Sequence, residues 1–165
     1  MSTHSINGRP ALALVPPLPK AAPVAFCGHC GARPDPDAAA SPTRVCSSCG
    51  LGLLLQCDGD VAPNPGDAYL VLDHTLSVCA MSDAAERLLA TQELDAIHRP
   101  ITQLLVPADA ESTAEADLAA AIMWSARGDT RVTYTVVRPA NTFGVRLKAR
   151  IGGCGPPRAA LLVFE

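Results

Sequence analysis

From Tyr69 onward, short runs of apolar residues alternate with polar positions in a way that predicts β-strands. Successive side chains of a strand point to opposite faces, so alternation over about 4–8 residues indicates a strand with one buried face. Residues 131–138 and 143–151 alternate in this way, and the short apolar segments at residues 69–73, 76–81 and 159–164 complete five predicted strands. Glycine-rich residues 152–155 precede two prolines and predict the turn before the last strand.

Between the second and third of these strands, apolar positions recur at helical spacing. Ser82 is placed to cap a first helix, and residues 97–106 contain a short helical piece. A longer helix opens with the capping-box pair Ser112 and Glu115 and stops before Gly128. The order β-β-α-α-α-β-β-β is typical of an α+β fold, here a five-stranded antiparallel sheet with its helices on one face.

The chain divides into further parts by composition. Residues 1–25 are rich in Pro and Ala without periodicity, which predicts a disordered tail. Residues 26–57 hold five of the seven cysteines, and residues 58–66 combine Pro, Gly and Asp into a predicted linker. We therefore expect a small cysteine-rich unit that unfolds independently of the domain formed by residues 67–165.

Composition and charge argue against two classes of protein. Apolar residues make up 48% of the 165 residues, yet no apolar run approaches the roughly 18 residues that a membrane span needs. The net charge is −3, which does not suit a generally basic nucleic-acid binder. Since no export signal is evident, we expect a cytoplasmic protein without a membrane partner.

Four cysteines form two identically spaced pairs, Cys27 with Cys30 and Cys46 with Cys49. The pattern is C-x2-C-x15-C-x2-C, and a glycine follows each second cysteine. Two residues between ligands let one tight turn aim both sulfurs at a single ion. The glycine permits a positive φ, so that backbone N–H groups can point back toward the sulfurs. This spacing predicts a tetrahedral four-thiolate metal site.

The cysteine-rich segment resembles a zinc ribbon. The resemblance implies a structural Zn²⁺, which would supply on the order of 10 kcal/mol to a segment with few bulky apolar residues. Iron is the alternative, because rubredoxin-like sites use the same paired cysteines. Those sites are usually wrapped in aromatic side chains, and Phe26 is the one aromatic residue of this segment. Sulfur takes all four coordination positions, which leaves none for a catalytic water.

The start of the α+β domain resembles a PAS domain. The matching segments are DAYLVLD (67–73), LSVCAMS (76–82), DAAERLL (83–89) and RPI (99–101). The last is similar to the family's Gly-Arg-Pro-Leu segment, with His98 in place of glycine, and Ser82 stands where asparagine is common. The resemblance covers residues 66–165 and implies a sensory or protein-interaction module.

Many PAS domains hold a haem, a flavin or a metabolite between sheet and helices. Residues 91–105 lack the cysteine of a photoreceptor-type flavin domain, and residues 112–127 lack a histidine, which leaves His98 as the ring nitrogen to test for haem. A core filled by side chains, with no ligand, is an equal alternative. The expected lining is Leu70, Leu72, Val78, Leu104, Ile122, Tyr134, Val136, Leu147, Leu161 and Val163.

Charge is divided unevenly along the domain. Residues 58–129 carry 13 acidic and 3 basic side chains, whereas residues 130–165 carry 6 basic and 1 acidic. Four of the basic residues are expected on one solvated face of the sheet: Arg131, Arg146, Lys148 and Arg150. This face either protects the sheet from aggregation or docks an acidic partner, such as the acidic half of a second copy.

Together these features predict a non-enzymatic regulatory protein, a PAS-type sensor or interaction module that acts through protein partners and forms a homodimer. No Ser-His-Asp order, phosphate loop or carboxylate pair points to catalysis. One alternative is a transcription-linked regulator whose ribbon contacts nucleic acid, although the ribbon's zero side-chain charge argues against phosphate binding. The other is a redox or gas sensor with iron or haem.

Overall fold

A computed structural model describes residues 22–34, 44–108 and 112–165 of the chain. Its strands are β1 Val24–Cys27, β2 Leu54–Cys57, β3 Tyr69–Leu72, β4 Val78–Met81, β5 Leu105–Pro107, β6 Thr133–Pro139, β7 Leu147–Gly155 and β8 Ala159–Phe164. Its helices are α1 Asp83–Leu89, α2 Glu93–Ala96 and α3 Ser112–Ala126, with a 3-10 turn at Ile101–Gln103. The predicted α+β class is confirmed. None of these helices is long and apolar enough to cross a membrane.

The strands form one antiparallel sheet of eight rather than the five predicted. The five predicted strands are neighbours in the order β6-β7-β8-β3-β4, with β4 at one edge, and β5 pairs with β6. The β1–β2 hairpin joins the same sheet, because Cys57 of β2 pairs with Cys154 of β7. The cysteine-rich segment is therefore hydrogen-bonded into the sheet, which local sequence patterns do not reveal.

Strand β7 lies further along the chain than its pattern predicted. Residues 152–155, predicted as a turn, continue the strand because β8 pairs with one edge and β2 with the other. Glycine is needed there for close approach, since a Cβ on Gly152 would lie 3.1 Å from the Val61 side chain. The turn itself begins at Pro156.

The helical region agrees only in part with the prediction. Ser82 caps α1, as predicted, and its Oγ accepts a hydrogen bond from the Ala85 N–H at 3.2 Å. The same Oγ accepts from the Tyr69 N–H at 3.0 Å, so the cap also ties α1 to β3. The predicted helical piece at residues 97–106 is a 3-10 turn followed by β5, and α2 was not predicted. The capping contacts of Ser112 and Glu115 lie outside the described side chains.

Each face of the sheet has its own core. The helix face is buried by aliphatic residues of the strands together with Ala85 of α1, Ala96 of α2, and Leu118 and Ile122 of α3. The opposite face, which we call the ribbon face, is covered by β1, β2 and the residues after them. Its buried residues are Phe26, Leu55, Cys57, Val61, Ala62, Tyr69, Val71, Cys154, Ala159, Leu161 and Val163.

The predicted boundaries differ from these observations at two places. Val24 and Ala25, assigned to the tail, belong to β1, while residues 1–21 lie outside the described ranges. Residues 58–66, predicted as a linker, form turns in which Val61 and Ala62 are buried, at 1% and 7% exposure. This segment packs on β7 as part of the ribbon-face core, because its two apolar residues find buried surface there.

Candidate metal centre

The four cysteines of the two pairs converge on one point. Their Sγ atoms all lie within 4.8 Å of one another. Cys27 Sγ is 3.7 Å from Cys49 Sγ, and Cys30 Sγ is 3.9 Å from Cys46 Sγ. A tetrahedral site with Zn–S bonds of about 2.3 Å has S···S edges of about 3.8 Å. The cluster therefore has the dimensions of a tetrahedral four-thiolate centre, and it can hold a metal ion.

The two knuckles have the same backbone structure. In each, the N–H after the second cysteine donates to the carbonyl of the first, from Gly31 to Cys27 at 3.0 Å and from Gly50 to Cys46 at 2.9 Å. Gly31 and Gly50 have φ values of +71° and +68°, a backbone conformation that residues other than glycine rarely adopt. The positive φ predicted for both glycines is confirmed.

Backbone N–H groups point at the sulfurs, as thiolate ligands require. Cys27 Sγ accepts from the His29 N–H at 3.4 Å, and Cys49 Sγ accepts from the Gly52 N–H at 3.4 Å. The N–H groups of Gly52 and Leu51 hold the pKa of Cys49 below its usual value, whereas burial raises the pKa of Cys27.

Gly52 is a site residue that the motif did not single out. A Cβ at this position would overlap Cys27 Sγ and would lie 2.8 Å from the Cβ of His29. The second knuckle can approach the first only because residue 52 has no side chain. The signal in the sequence is the second glycine of Gly50-Leu51-Gly52, which is not part of the ligand spacing.

The first knuckle is attached to the α+β domain by side-chain contacts. The buried Tyr69 hydroxyl of β3 donates to the Cys27 carbonyl at 2.7 Å, and the Tyr69 ring meets Phe26 edge-on with centroids 5.8 Å apart. His29 Nδ1 is 3.0 Å from a carboxylate oxygen of Glu93, at the start of α2. The other oxygen of Glu93 accepts from the Met81 N–H at 2.9 Å. Because these partners lie 42 and 64 residues away from the knuckle, no local motif could have identified them.

The structure does not bring the predicted pocket residues together. Leu70, Leu72, Val78, Leu104 and Ile122 are packed in the helix-face core, and Leu147 lies against it. Leu161 and Val163 belong to the ribbon-face core instead. Every residue of strand β8 is apolar and buried, so the sequence could not show which face of the sheet each side chain occupies.

On strand β6 the predicted pocket residues point away from the helix face. Val137 is the buried core residue, whereas Tyr134 is 66% exposed and Val136 is half-buried. Tyr134 and Val136 pair with Arg150 and Lys148 of β7, which places all four on the opposite side of the sheet. His98, the residue considered for haem, is exposed.

The predicted basic face is divided in two. Lys148 is exposed on β7, and Arg150 on the same strand bonds to Glu165 at 3.2 Å and to the Ala62 carbonyl at 3.2 Å. Arg146 is exposed just before that strand. Arg131 lies elsewhere, 5.7 Å from the Trp124 ring and paired with Asp129 at 2.7 Å. Arg150 is thus part of the contact with residues 58–66 and not of an open face.

Comparisons with known proteins add little to this picture. No family model matches the chain, and no curated protein is significantly similar to it. Among solved structures, the chain is similar to the PAS domain of nitrogen regulation protein NR(II) from Vibrio parahaemolyticus, at 18% identity with a TM-score of 0.42, covering 60% of this chain and 86% of that one. A TM-score of 0.42 is too low to support a conclusion about this chain. The described residues show an α+β domain that carries a four-cysteine cluster able to hold a metal ion.

Proposed function

We propose that the chain is a non-enzymatic regulatory protein, a PAS-like sensor or protein-interaction module with a structural zinc centre. The observation that carries the proposal is the convergence of four thiols, within 4.8 Å of one another, in a hairpin that belongs to the same sheet as the α+β domain. The PAS-like assignment is supported by the segments at residues 67–101 and by the order of strands and helices.

Zinc is the proposed ion because closed tetrahedral sites of four cysteines are typical of structural zinc. Iron fits the same geometry, and the aromatic contact of Phe26 with Tyr69 lies next to the first knuckle. The site supports a structural role for either ion, since its four sulfurs fill the coordination sphere. The centre would then stabilise the ribbon face and leave recognition to the surrounding surface, with homodimerisation and protein partners as the expected means of signalling.

Metal analysis of the purified protein tests this proposal. We expect one zinc per chain by plasma mass spectrometry and an absorption spectrum without visible bands. Cys27→Ser should lose the metal, whereas Cys79→Ser, an exposed cysteine outside the cluster, should retain it. Visible bands of iron–thiolate or haem would contradict the zinc assignment and favour a redox or gas sensor. Sedimentation equilibrium measures whether the chain is a dimer.

A further inference from the structure

A groove of about 520 Å³ separates the metal knuckles from the ribbon face of the sheet. Leu51, Leu53 and Leu55 of the ribbon form one wall, and Val71, Ala80 and Ala159 of the sheet form the other. This volume is within the range of small-molecule sites, about 300–1,000 Å³. The groove lies on the ribbon face of the sheet, with Glu93 of α2 also in its lining, so it is distinct from the pocket that the sequence predicted between sheet and helices.

Two leucines of the groove expose much of their apolar side chains to solvent. Leu51 is 74% exposed and Leu53 is 49% exposed, although both lie next to the second metal knuckle. Large apolar side chains grouped in a concavity, rather than scattered singly, are typical of a binding site. The knuckle backbone holds them there, because the Gly52 carbonyl accepts from the Cys46 N–H at 2.8 Å and the Leu53 carbonyl accepts from the Gly28 N–H at 2.8 Å.

The charged groups that face the groove are mainly carboxylates. Asp73 and Glu93 line it, together with the imidazoles of His29 and His74. Burial acts to raise the pKa of Asp73, but hydrogen bonds from Thr75 and Ser77 outweigh it and lower that pKa, which keeps the carboxyl ionised. Asp73 is held in place by these bonds. Both oxygens of Glu93 already have partners, since one accepts from the Met81 N–H at 2.9 Å and the other lies 3.0 Å from His29 Nδ1.

The single arginine in the lining does not neutralise these carboxylates at the groove. Its guanidinium, on Arg158, donates to the Arg127 carbonyl at 3.3 Å, at the end of α3. A Cβ on Gly128 would lie 3.8 Å from the same guanidinium. Arg158 therefore contributes its aliphatic stem to the wall while its charge is directed toward the helix end.

We infer that this groove binds a small organic amine, with its apolar body between the leucines and the sheet and its cationic end beside Asp73. The apolar walls supply the contact area, and the fixed Asp73 carboxylate supplies selectivity for positive charge. This inference extends the proposed sensor function and rests on it in one respect, because it takes the amine as the signal that the sensor detects. Because Gly28, His29 and Gly52 also line the groove, an intact metal centre should be required for binding.

Three fluorescent probes that share one ring system test the inference: 1-naphthylmethylamine, 1-naphthylmethanol and 1-naphthylacetate. Titration into the metal-loaded full chain should show the amine binding at least fivefold more tightly than the alcohol, and the acetate more weakly than both. Asp73→Asn keeps the acceptor oxygen for its turn and should reduce the preference for amine over alcohol. Asp60→Asn, an exposed carboxylate outside the groove, should leave the preference unchanged.

A second pair of variants locates the binding. Leu53→Asn should weaken all three probes by at least fivefold, whereas Leu94→Asn, which changes a leucine that is 89% exposed and outside the groove, should not. Equal binding of amine and alcohol, or tightest binding of the acetate, would overturn the inference. So would a dimer that Leu53→Asn dissociates, since a second copy would then cover the groove. Failure of all probes to bind a protein with full zinc content would overturn the inference while leaving the structural metal centre intact.

Discussion

The two faces of the sheet are buried by different means. Leu161 and Leu162 are neighbours on β8 and both are fully buried, yet one lies in the ribbon-face core and the other in the helix-face core. The helix face is covered by three helices and a large set of aliphatic side chains. The ribbon face is covered by a short hairpin and turns, whose own large buried apolar residues are Phe26, Leu55 and Val61.

This difference indicates two sources of stability in one sheet. Apolar burial suffices on the helix face, because the helices contribute a continuous apolar surface. On the ribbon face the covering segment buries too few apolar residues to stabilise its own folded backbone. We therefore expect a bound metal ion to supply the remaining stability. Since Tyr69, His29 and the β2–β7 pairing connect the knuckles to the domain, the two parts should be stable only together.

The largest expected effect is that of removing the metal. A structural zinc contributes on the order of 10 kcal/mol at neutral pH, comparable with the total stability of a domain, about 5–15 kcal/mol. Differential scanning calorimetry of the loaded and chelator-treated protein should show one cooperative transition that falls steeply without metal. Two transitions, with the upper one insensitive to chelator, would instead support the independent units that the predicted linker implies.

Next in size is the effect of truncating the paired leucines of β8. Leu161→Ala and Leu162→Ala should each lower the free energy of unfolding by about 2–5 kcal/mol, because each leaves a cavity. Only Leu161→Ala should also weaken metal affinity, since Leu161 packs beneath the ribbon. Urea unfolding combined with competition against a chromophoric chelator measures both quantities. Equal losses of metal affinity in the two variants would remove the distinction between the faces.

Gly52→Ala should weaken metal affinity about 100-fold, or about 2.7 kcal/mol, although it changes no ligand. The added Cβ would overlap Cys27 Sγ and push the knuckles apart. Gly50→Ala is the matched control, because its positive φ is strained by a side chain but no atom lies within 4 Å of the added Cβ. The same chelator competition compares the two, and an equal loss in both variants would contradict a specific requirement for the space at residue 52.

The smallest expected effect compares the two tyrosines. Tyr69→Phe removes the hydroxyl that donates to the Cys27 carbonyl and should lower the free energy of unfolding by about 1–2 kcal/mol. Tyr134→Phe, at an exposed position, should change it by less than about 0.5 kcal/mol. Urea titrations of both variants provide the measurement. An unchanged stability for Tyr69→Phe would mean that the knuckle does not depend on this bond.

Local patterns predicted a large part of the fold and of the metal cluster. Short apolar runs and alternation located β3, β4, β6 and β8 to within a few residues, and the cap at Ser82 was correct in detail, because these signals depend on neighbours in the chain. The clustering of the four cysteines followed from their spacing for the same reason. The position predicted for strand β7 was wrong, because its glycines indicate a turn locally but are held extended by pairing with β8 on one edge and β2 on the other.

The sequence by itself determined the α+β class, the four thiols and the glycines that let each knuckle turn. The tertiary structure alone decided that the hairpin joins the sheet, that Tyr69 and Glu93 contact the first knuckle, and that a groove opens on the ribbon face. The physical reason is the distance along the chain between the residues that interact. Turns, caps and alternation depend on residues a few positions apart, whereas the pairing of Cys57 with Cys154 depends on where the whole sheet places them.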